Sequence, residues 1–361
     1  LFTSTARAVP IASHKLRSTA AKFFLVFEVL VMLLAGVPFI PELFLGYQQE
    51  EVQDKNVLVT SGLMATNAAI QGEFEKGGKL IDLPFFGDLS GDSEILNDTT
   101  GLTAATLAGN VQIGVRNMRG RAWKASDLAA ELAGSDPMQA IARSTGRYWV
   151  RDMQKVLIQV IKGLFATGGP LASSHASGGT GTALTPDALV DAIAKLGDAG
   201  EELTGVFMHS RTFYALMKQD LIVPASTTSQ LDSRLSAERL EKGTYLGRPV
   251  YVDDTLPVDA GAGTGGGAGK DVLSTYFFGP GAFAYATAPA KTPLETDRDS
   301  LKGVDFLINR THYLVHPNGI SWTGTAAGNS PSNAELATGT NWTKVFTDNR
   351  NIRITQLKAY I

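Results

Sequence analysis

The 361-residue chain contains no cysteine. This removes disulfides, thiolate metal sites and cysteine nucleophiles together, and it suits folding in a reducing compartment. There is no excess of either charge: 32 Lys and Arg stand against 35 Asp and Glu, a net −3, whereas a dedicated nucleic-acid binder is distinctly basic. A long uninterrupted apolar run is also missing. The nearest approach, "FFLVFEVLVMLLAGVPFIP" from Phe23 to Pro41, has Glu28 within it and Pro38 and Pro41 at its end. A membrane span needs about 20 apolar residues, a carboxylate in hydrocarbon costs about 2.5–3.5 kcal/mol, and proline ends a helix. Basic residues upstream (Lys15, Arg17, Lys22) and Ala35-Gly36 after the apolar core also match a secretory signal. From its own residues the segment is compatible with a signal, a buried or interfacial helix, or a span.

Catalytic patterns are missing too. The five histidines, His14, His175, His209, His312 and His316, include no H-E-x-x-H pair, and no G-x-S-x-G elbow occurs. His312 and His316 are four apart but in a stretch that reads as strand and turn, where they do not converge. The loop "GTGGGAGKD" (263–271) invites comparison with a phosphate-binding loop, yet Thr264 stands where the motif needs glycine and Asp271 where it needs Ser or Thr. The carboxylates of "VDD" (252–254) and "ETDRD" (295–299) have no metal-site spacing and read as turn and surface groups. These residues predict no catalytic, cofactor-binding or metal site, and no cofactor.

What the chain does contain is globular: 44% hydrophobic and 19% charged residues, with 38 glycines that suit long connections. The apolar spacing of "SDPMQAIARSTGRYWVRDMQKVLIQVIKGLFA" (135–166) predicts a helix of about eight turns, roughly 45 Å long, capped by Ser135 or Asp136 and stopped by Gly168 and Gly169. Thr185-Pro186-Asp187 predicts a second helix to about Leu203. Ser210 is expected to cap a third after the buried strand "GVFMHS". Strands are predicted in "TYLGRPVYVDD", "STYFFGPGAFAYATA", "DFLINRTHYLVHPNGISW" (a pair turning at Pro317-Asn318-Gly319) and the closing "NIRITQLKAYI". The order is α+β, without regular βαβ repetition.

One stretch has an uneven charge pattern. "KLIDLPFFGDLSGDSEILND" (79–98) is acidic, with Asp82, Asp88, Asp92, Glu94 and Asp98. "NVQIGVRNMRGRAWKASDL" (110–128) is basic, with Arg116, Arg119, Arg121 and Lys124. The pair reads as a long two-stranded excursion. An isolated hairpin is marginal in water, so it is expected to lie on something else; the plainer alternative is a solvated hairpin paired with itself.

Read in order, "IPELF" (40–44), "IDLPFFGDLSGD" (81–92), "VRNMRGRAWKASDLA" (115–129), "DPMQAIARSTGRYWVRDMQKVL" (136–157), "MHS" (208–210), "YLGRPVYVDDTLP" (245–257), "FFGPGAFAY" (277–285), "ETDRD" (295–299) and "NRTHYLVHPNGISW" (309–322) resemble the major capsid proteins of tailed bacteriophages. The resemblance covers residues 38–361. It implies the Hong Kong 97-type coat fold and a division into an N-terminal extension (1–37), an N-arm (38–78), an E-loop (79–130), a P-domain spine helix with its following loop (131–180), a mainly A-domain stretch (181–300), and P-domain strands with the C-terminus (301–361). The implied function is an icosahedral shell of hexamers and pentamers around phage DNA, located in the virion and assembled in the bacterial host cytoplasm, with portal, scaffolding and decoration proteins as partners and no membrane. An encapsulin-type nanocompartment shell is the alternative. Asp88, Asp92, Glu94, Asp98, Arg116, Arg119 and Arg121 become candidates for inter-subunit contact, through charge pairs that set register. The apolar segment from Phe23 falls in the extension, where burial between subunits would hide it.

Some coats of this fold cross-link through an E-loop lysine. No lysine lies between Lys79 and Lys124 here. With cysteine absent as well, cohesion is expected to be non-covalent, and boiled, denatured particles are expected to run as a single monomer band. A ladder of covalent oligomers on the gel would refute this.

Overall fold

The computed structural model describes residues 63–86, 93–95, 109–133, 137–224 and 241–361. The expected N-terminal extension, and the expected N-arm up to residue 62, lie outside the described residues.

A two-residue strand β1 (Met64–Ala65) leads into helix α1 (Ala68–Glu75), whose first turn is capped by the Asn67 side chain accepting from Ala69 N. Gly77 and Gly78, both at φ +93°, turn the chain into β2 (Leu80–Phe86). β2 alternates, with Ile81 and Leu83 inward, and pairs antiparallel with β3 (Gly109–Val115), from Leu80 opposite Val115 to Phe86 opposite Gly109. At Arg116 the chain leaves this hairpin. β4 (Asn117–Ser126) belongs to a different sheet. The expected single returning arm is therefore two strands, of which β3 pairs with β2 and β4, with the basic residues from Arg119 onward, pairs with β13 (Val304–Pro317).

Helix α2 (Asp127–Ala133) precedes α3 (Pro137–Phe165), the long helix, 29 residues and about 43 Å. Gly168, at φ +81°, ends the run, and Leu171 N donates back to Leu164 O at 3.1 Å. β5 (Ala176–Ala183) follows, then α4 (Pro186–Ala194), N-capped by Thr185 as expected but ended earlier. Gly197, at φ +59°, passes the chain into a 3₁₀ segment to Glu202. After the fully buried β6 (Gly205–Met208), α5 (Ser210–Met217) is capped not by Ser210 but by His209, whose Nδ1 accepts from Arg211 N at 3.1 Å.

The remaining strands are β7 (Val223–Pro224), β8 (Glu241–Tyr245), β9 (Arg248–Val252), β10 (Val258–Asp259), β11 (Val272–Phe278), β12 (Phe283–Asp299), β13 (Val304–Pro317), β14 (Ile320–Trp322), β15 (Trp342–Lys344) and β16 (Ile354–Tyr360). The short helix α6 (Asn333–Leu336), with a Ser332/Glu335 capping box, lies between β14 and β15. The predicted turn at Pro317-Asn318-Gly319 exists, with Gly319 at φ +82°. The strands on either side of it do not pair: β13 lies between β12 and β4, while β14 pairs with β15.

Two sheets organise the chain. The first has the order β1-β12-β13-β4 and is long and narrow. The second, β5-β16-β11-β6-β9-β8-β7 with β10 beside β11, is centred on β11, all of whose residues are buried. Across residue 300, β12 pairs with β13, and β16 joins the second sheet.

Alternation explains the layers. On one face of the first sheet, Tyr313, Val315, Phe283 and Tyr285 meet Met153, Val156, Leu157, Val160 and Leu164 of α3 in one core. On the other face, Leu314 and Ala286 meet Phe74 of α1 and Ile81 and Leu83 of β2. Helix and hairpin therefore cover opposite faces. A third core packs α4 and α5 on the second sheet through Leu189, Phe213, Leu216, Val206, Val250 and Phe277. On the outer side of β12, the Gln71 side chain of α1 both donates to Thr287 O at 2.6 Å and accepts from Thr287 N at 3.2 Å, as a paired strand would.

Candidate assembly surfaces

The described part of the hairpin is seated at its base and exposes Phe86 at the end of β2. Three contacts make the seat. Gln112 Oε1, buried, accepts from Gly319 N at 2.9 Å, and Ile113 N donates to Ser321 Oγ at 2.8 Å. Gly114 lies against Leu314 and His316, so closely that a Cβ there would stand 3.1 Å from Leu314 Cδ1. Toward the other end, Phe85 meets Phe346 edge-on at 5.0 Å, and Phe86 is 77% exposed. Ile95, beyond it, is 94% exposed. Phe85 and Phe86 also line an open cleft of about 1020 Å³ with Ala65, Ile70, Phe346 and Arg353. Phe86 beside this cleft is the candidate contact for a partner.

His316 beneath the hairpin is buried, and neither ring nitrogen has a hydrogen-bond partner. Burial pushes its pKa down to about 4; the nearby Ile320 backbone opposes this only in part, since it does not reach hydrogen-bond geometry. His312, on the same face of β13, is also lowered, first by burial and then by Arg116.

The predicted contact residues are dispersed. Asp88, Asp92 and Asp98 lie outside the described residues, and Glu94 is exposed. Arg116 is buried within its own chain: its guanidinium sits over the Phe74 ring at 4.1 Å and donates to Phe74 O near the C-terminus of α1, where unpaired carbonyls favour a cation. Its Nε has no partner. Arg119 donates to Pro331 O at 2.9 Å and to Asn333 Oδ1 at 3.0 Å, holding the segment before α6 against β4. Arg121 is exposed on β4, opposite Asn309. Arg116 and Arg119 thus serve the fold of their own chain through carbonyl and amide oxygens, which spacing along a strand does not reveal.

At the far end of the first sheet, Arg298 binds Asp127 (Nη2–Oδ2, 2.6 Å) and Asp305 (Nη1–Oδ1, 2.8 Å), and these two carboxylates raise its pKa. With Asp127 N donating to Gly303 O at 2.9 Å, the arginine ties α2 to the β12–β13 turn. Leu128 and Leu132 of α2 and Leu301 of the turn are all exposed beside it. "ETDRD" therefore acts as a surface clasp. The glycine-rich loop 263–271 joins β10 to β11. Gly267 packs against the Tyr360 ring, Lys270 sits 5.0 Å from that ring, and Asp271 pairs with Arg211 at 2.5 Å. The only lysine of the loop thus faces an aromatic ring.

Among the described residues no group of three His, Asp or Glu side chains is placed to hold a metal ion, and no helix is long and apolar enough to cross a membrane.

Comparison with known proteins places this geometry. Residues 49–352 match the family model described as Gp13-like, major capsid protein 13-like. The major capsid protein of Bacillus phage SPP1 is 37% identical over 323 residues, covering 88% of this chain and 95% of that protein. The solved capsid of Ralstonia phage GP4 superposes with a TM-score of 0.57 at 9% identity, covering 85% of this chain and 90% of that one. The capsid of cyanophage Pam1 gives 0.51 at 13% identity, covering 82% and 88%.

Proposed function

From a chain that belongs to the Gp13-like family of major capsid proteins, we propose a coat subunit whose β2–β3 hairpin reaches onto a neighbouring copy and whose shell holds double-stranded DNA without sequence specificity. The fold is of the Hong Kong 97 type, and the role is to form a phage shell. The phage capsid relatives favour this over the encapsulin alternative. The observation that carries the proposal is the hairpin itself. It is fixed at its base by Gln112, Ile113 and Gly114 and leaves Phe86 bare at the other end.

In this reading the hairpin from Leu80 to Val115 is the E-loop, and α3 with the β1-β12-β13-β4 sheet forms the P-domain. The second sheet with α4 and α5 forms the A-domain. Portal, scaffolding and decoration proteins would be its partners in the virion, and the host cytoplasm its place of assembly. The subunit works by association and carries out no catalysis.

Burying one phenylalanine contributes about 1.5–3 kcal/mol, which is roughly tenfold or more per contact. Phe86→Asp is therefore expected to leave the melting profile of the subunit unchanged and to lower shell yield by at least about tenfold. Sedimentation and electron microscopy read both effects. Wild-type protein is expected to give closed particles of pentamers and hexamers. Wild-type shells with undiminished yield from the Phe86→Asp variant would refute the role given to the hairpin. Monomers or dimers alone under all capsid-forming conditions would refute the shell assembly.

A further inference from the structure

The face of α3 turned away from the first sheet carries Arg147, Arg151, Lys155 and Lys162, all exposed. At about 100° per residue these four fall within an arc of about 80°, and they span about 22 Å along the axis. Asp152 is the only acid in the helix, and it accepts from the Tyr313 hydroxyl at 3.3 Å. Arg151 Nε donates to the Arg147 carbonyl, and none of the four cations has an ion pair among the described residues. Elsewhere the cations are mostly engaged: Arg211, Arg298, Arg310, Arg350, Arg353 and Lys358 each face a carboxylate. With five Arg and Lys against one Asp, the helix carries a net +4 in a chain of net −3.

We infer that this stripe lines the lumen of the shell and meets the phosphate backbone of the packaged DNA. The inference rests on the coat-protein reading above. The hairpin and α3 cover opposite faces of one sheet, so in a wall one subunit thick they face opposite sides. Beside the cations the helix exposes Ser144 and, in part, Tyr148, Gln154 and Gln159; Ile158, which falls within the arc, is buried, so no aliphatic side chain is bared there of the kind that forms the core of a protein interface. Lysine, half of the stripe, is depleted in such cores, while arginine serves both protein and phosphate contacts. A row of unpaired point charges with polar spacers suits a polyanion whose contacts need neither shape nor sequence.

The test uses the full-length protein with all four cations changed to glutamine (R147Q/R151Q/K155Q/K162Q). Unassembled subunits are titrated with a short double-stranded DNA across salt concentrations, and the same preparations are assembled and imaged. Four phosphate contacts give a salt slope of about −3.6. The variant is expected to lose most of that slope, to bind at least about tenfold more weakly at low salt, and to form shells normally. A control variant with Lys195, Lys218 and Lys291, three exposed lysines outside the stripe, changed to glutamine is expected to bind as wild type does. Should the quadruple variant not fold, R147Q/R151Q and K155Q/K162Q are each expected to lose about half the slope. Unchanged binding would overturn the inference. So would lost assembly with binding retained, which would make the stripe a contact between copies.

Placement is read separately. Because the chain has no cysteine, Lys155→Cys gives a single thiol. In intact shells it is expected to resist a bulky polymer-maleimide and to react after disassembly. Labelling in intact shells would overturn the lumenal assignment. Stripe-dependent DNA binding by a protein that forms no shells would refute the coat-protein reading while leaving the phosphate contact standing.

Discussion

Gly163→Leu is expected to yield no shells, and Gly163→Ala is expected to destabilise the subunit by about 3 kcal/mol, the upper part of the usual range for overpacking. Gly163 lies inside α3, where glycine is otherwise unfavourable. The reason lies across the chain. A Cβ at this position would stand 2.2 Å from Leu336 O and 2.9 Å from Trp342 Nε1. These two atoms are themselves hydrogen-bonded at 2.9 Å, so the bond that ties α6 to β15 passes directly over the glycine. The obstacle is backbone and a fully engaged indole, neither of which can move aside without unseating Leu336, Trp342 and the edge-on Trp322–Trp342 pair at 4.8 Å. Gly179, which has nothing within 4 Å, is the control, and Gly179→Ala is expected to be nearly neutral. Denaturant melts of the two alanine variants compare them; equal stabilities would refute the account.

Acid is the second large lever. Wild-type subunits are expected to lose about 3 kcal/mol of stability as the pH falls from about 6.5 to 4, through His316. Its folded-state pKa is lowered to about 4 by burial. Above about pH 6.5 the ring is neutral in both folded and unfolded chains, and its full contribution is present. Between 6.5 and 4 the unfolded chain takes up the proton and the folded one does not, so stability falls. Below about 4 both are protonated and this loss levels off. His175 and His312 are lowered too, first by burial, and act with the same sign. His316→Leu leaves no proton to take up and removes two unpartnered nitrogens. It is expected to flatten the slope without loss of stability at neutral pH. Thermal melts from pH 7 to 4 that fall equally steeply in wild type and variant would refute the assignment.

The long helix was legible because its apolar spacing persists over eight turns, and the structure places it within a residue or two of the expected ends. The resemblance to coat proteins was legible from the order of many short pieces, none decisive alone. Pairing partners were less visible. A turn at Pro317–Gly319 says that the chain reverses but not which strand each arm joins, and here the arms separate into different sheets. Arg116 reads as a surface charge until Phe74 is seen beneath it. The restriction on Gly163 depends on Leu336 and Trp342, more than 170 residues away, and leaves no local pattern. The basic stripe of α3 was present in the spacing of Arg147, Arg151 and Lys155, behind the stronger apolar signal of the opposite face.

The side-chain clasp of Gln71 on Thr287 bears on how coat subunits stay dissolved before they close into a particle. An open sheet edge is a template for fibrous stacking, and a protein needed in many copies accumulates to concentrations at which such stacking is fast. Along the outer side of β12 the template is interrupted step by step. β1 covers Phe283 and Ala284, the Gln71 amide occupies Thr287, and Pro289 and Pro293 have no N–H to offer. A break in register between Pro289 and Leu294 and the charges of Lys291, Glu295, Asp297 and Asp299 complete the guard. Edge-to-edge growth is closed to the waiting subunit on that side.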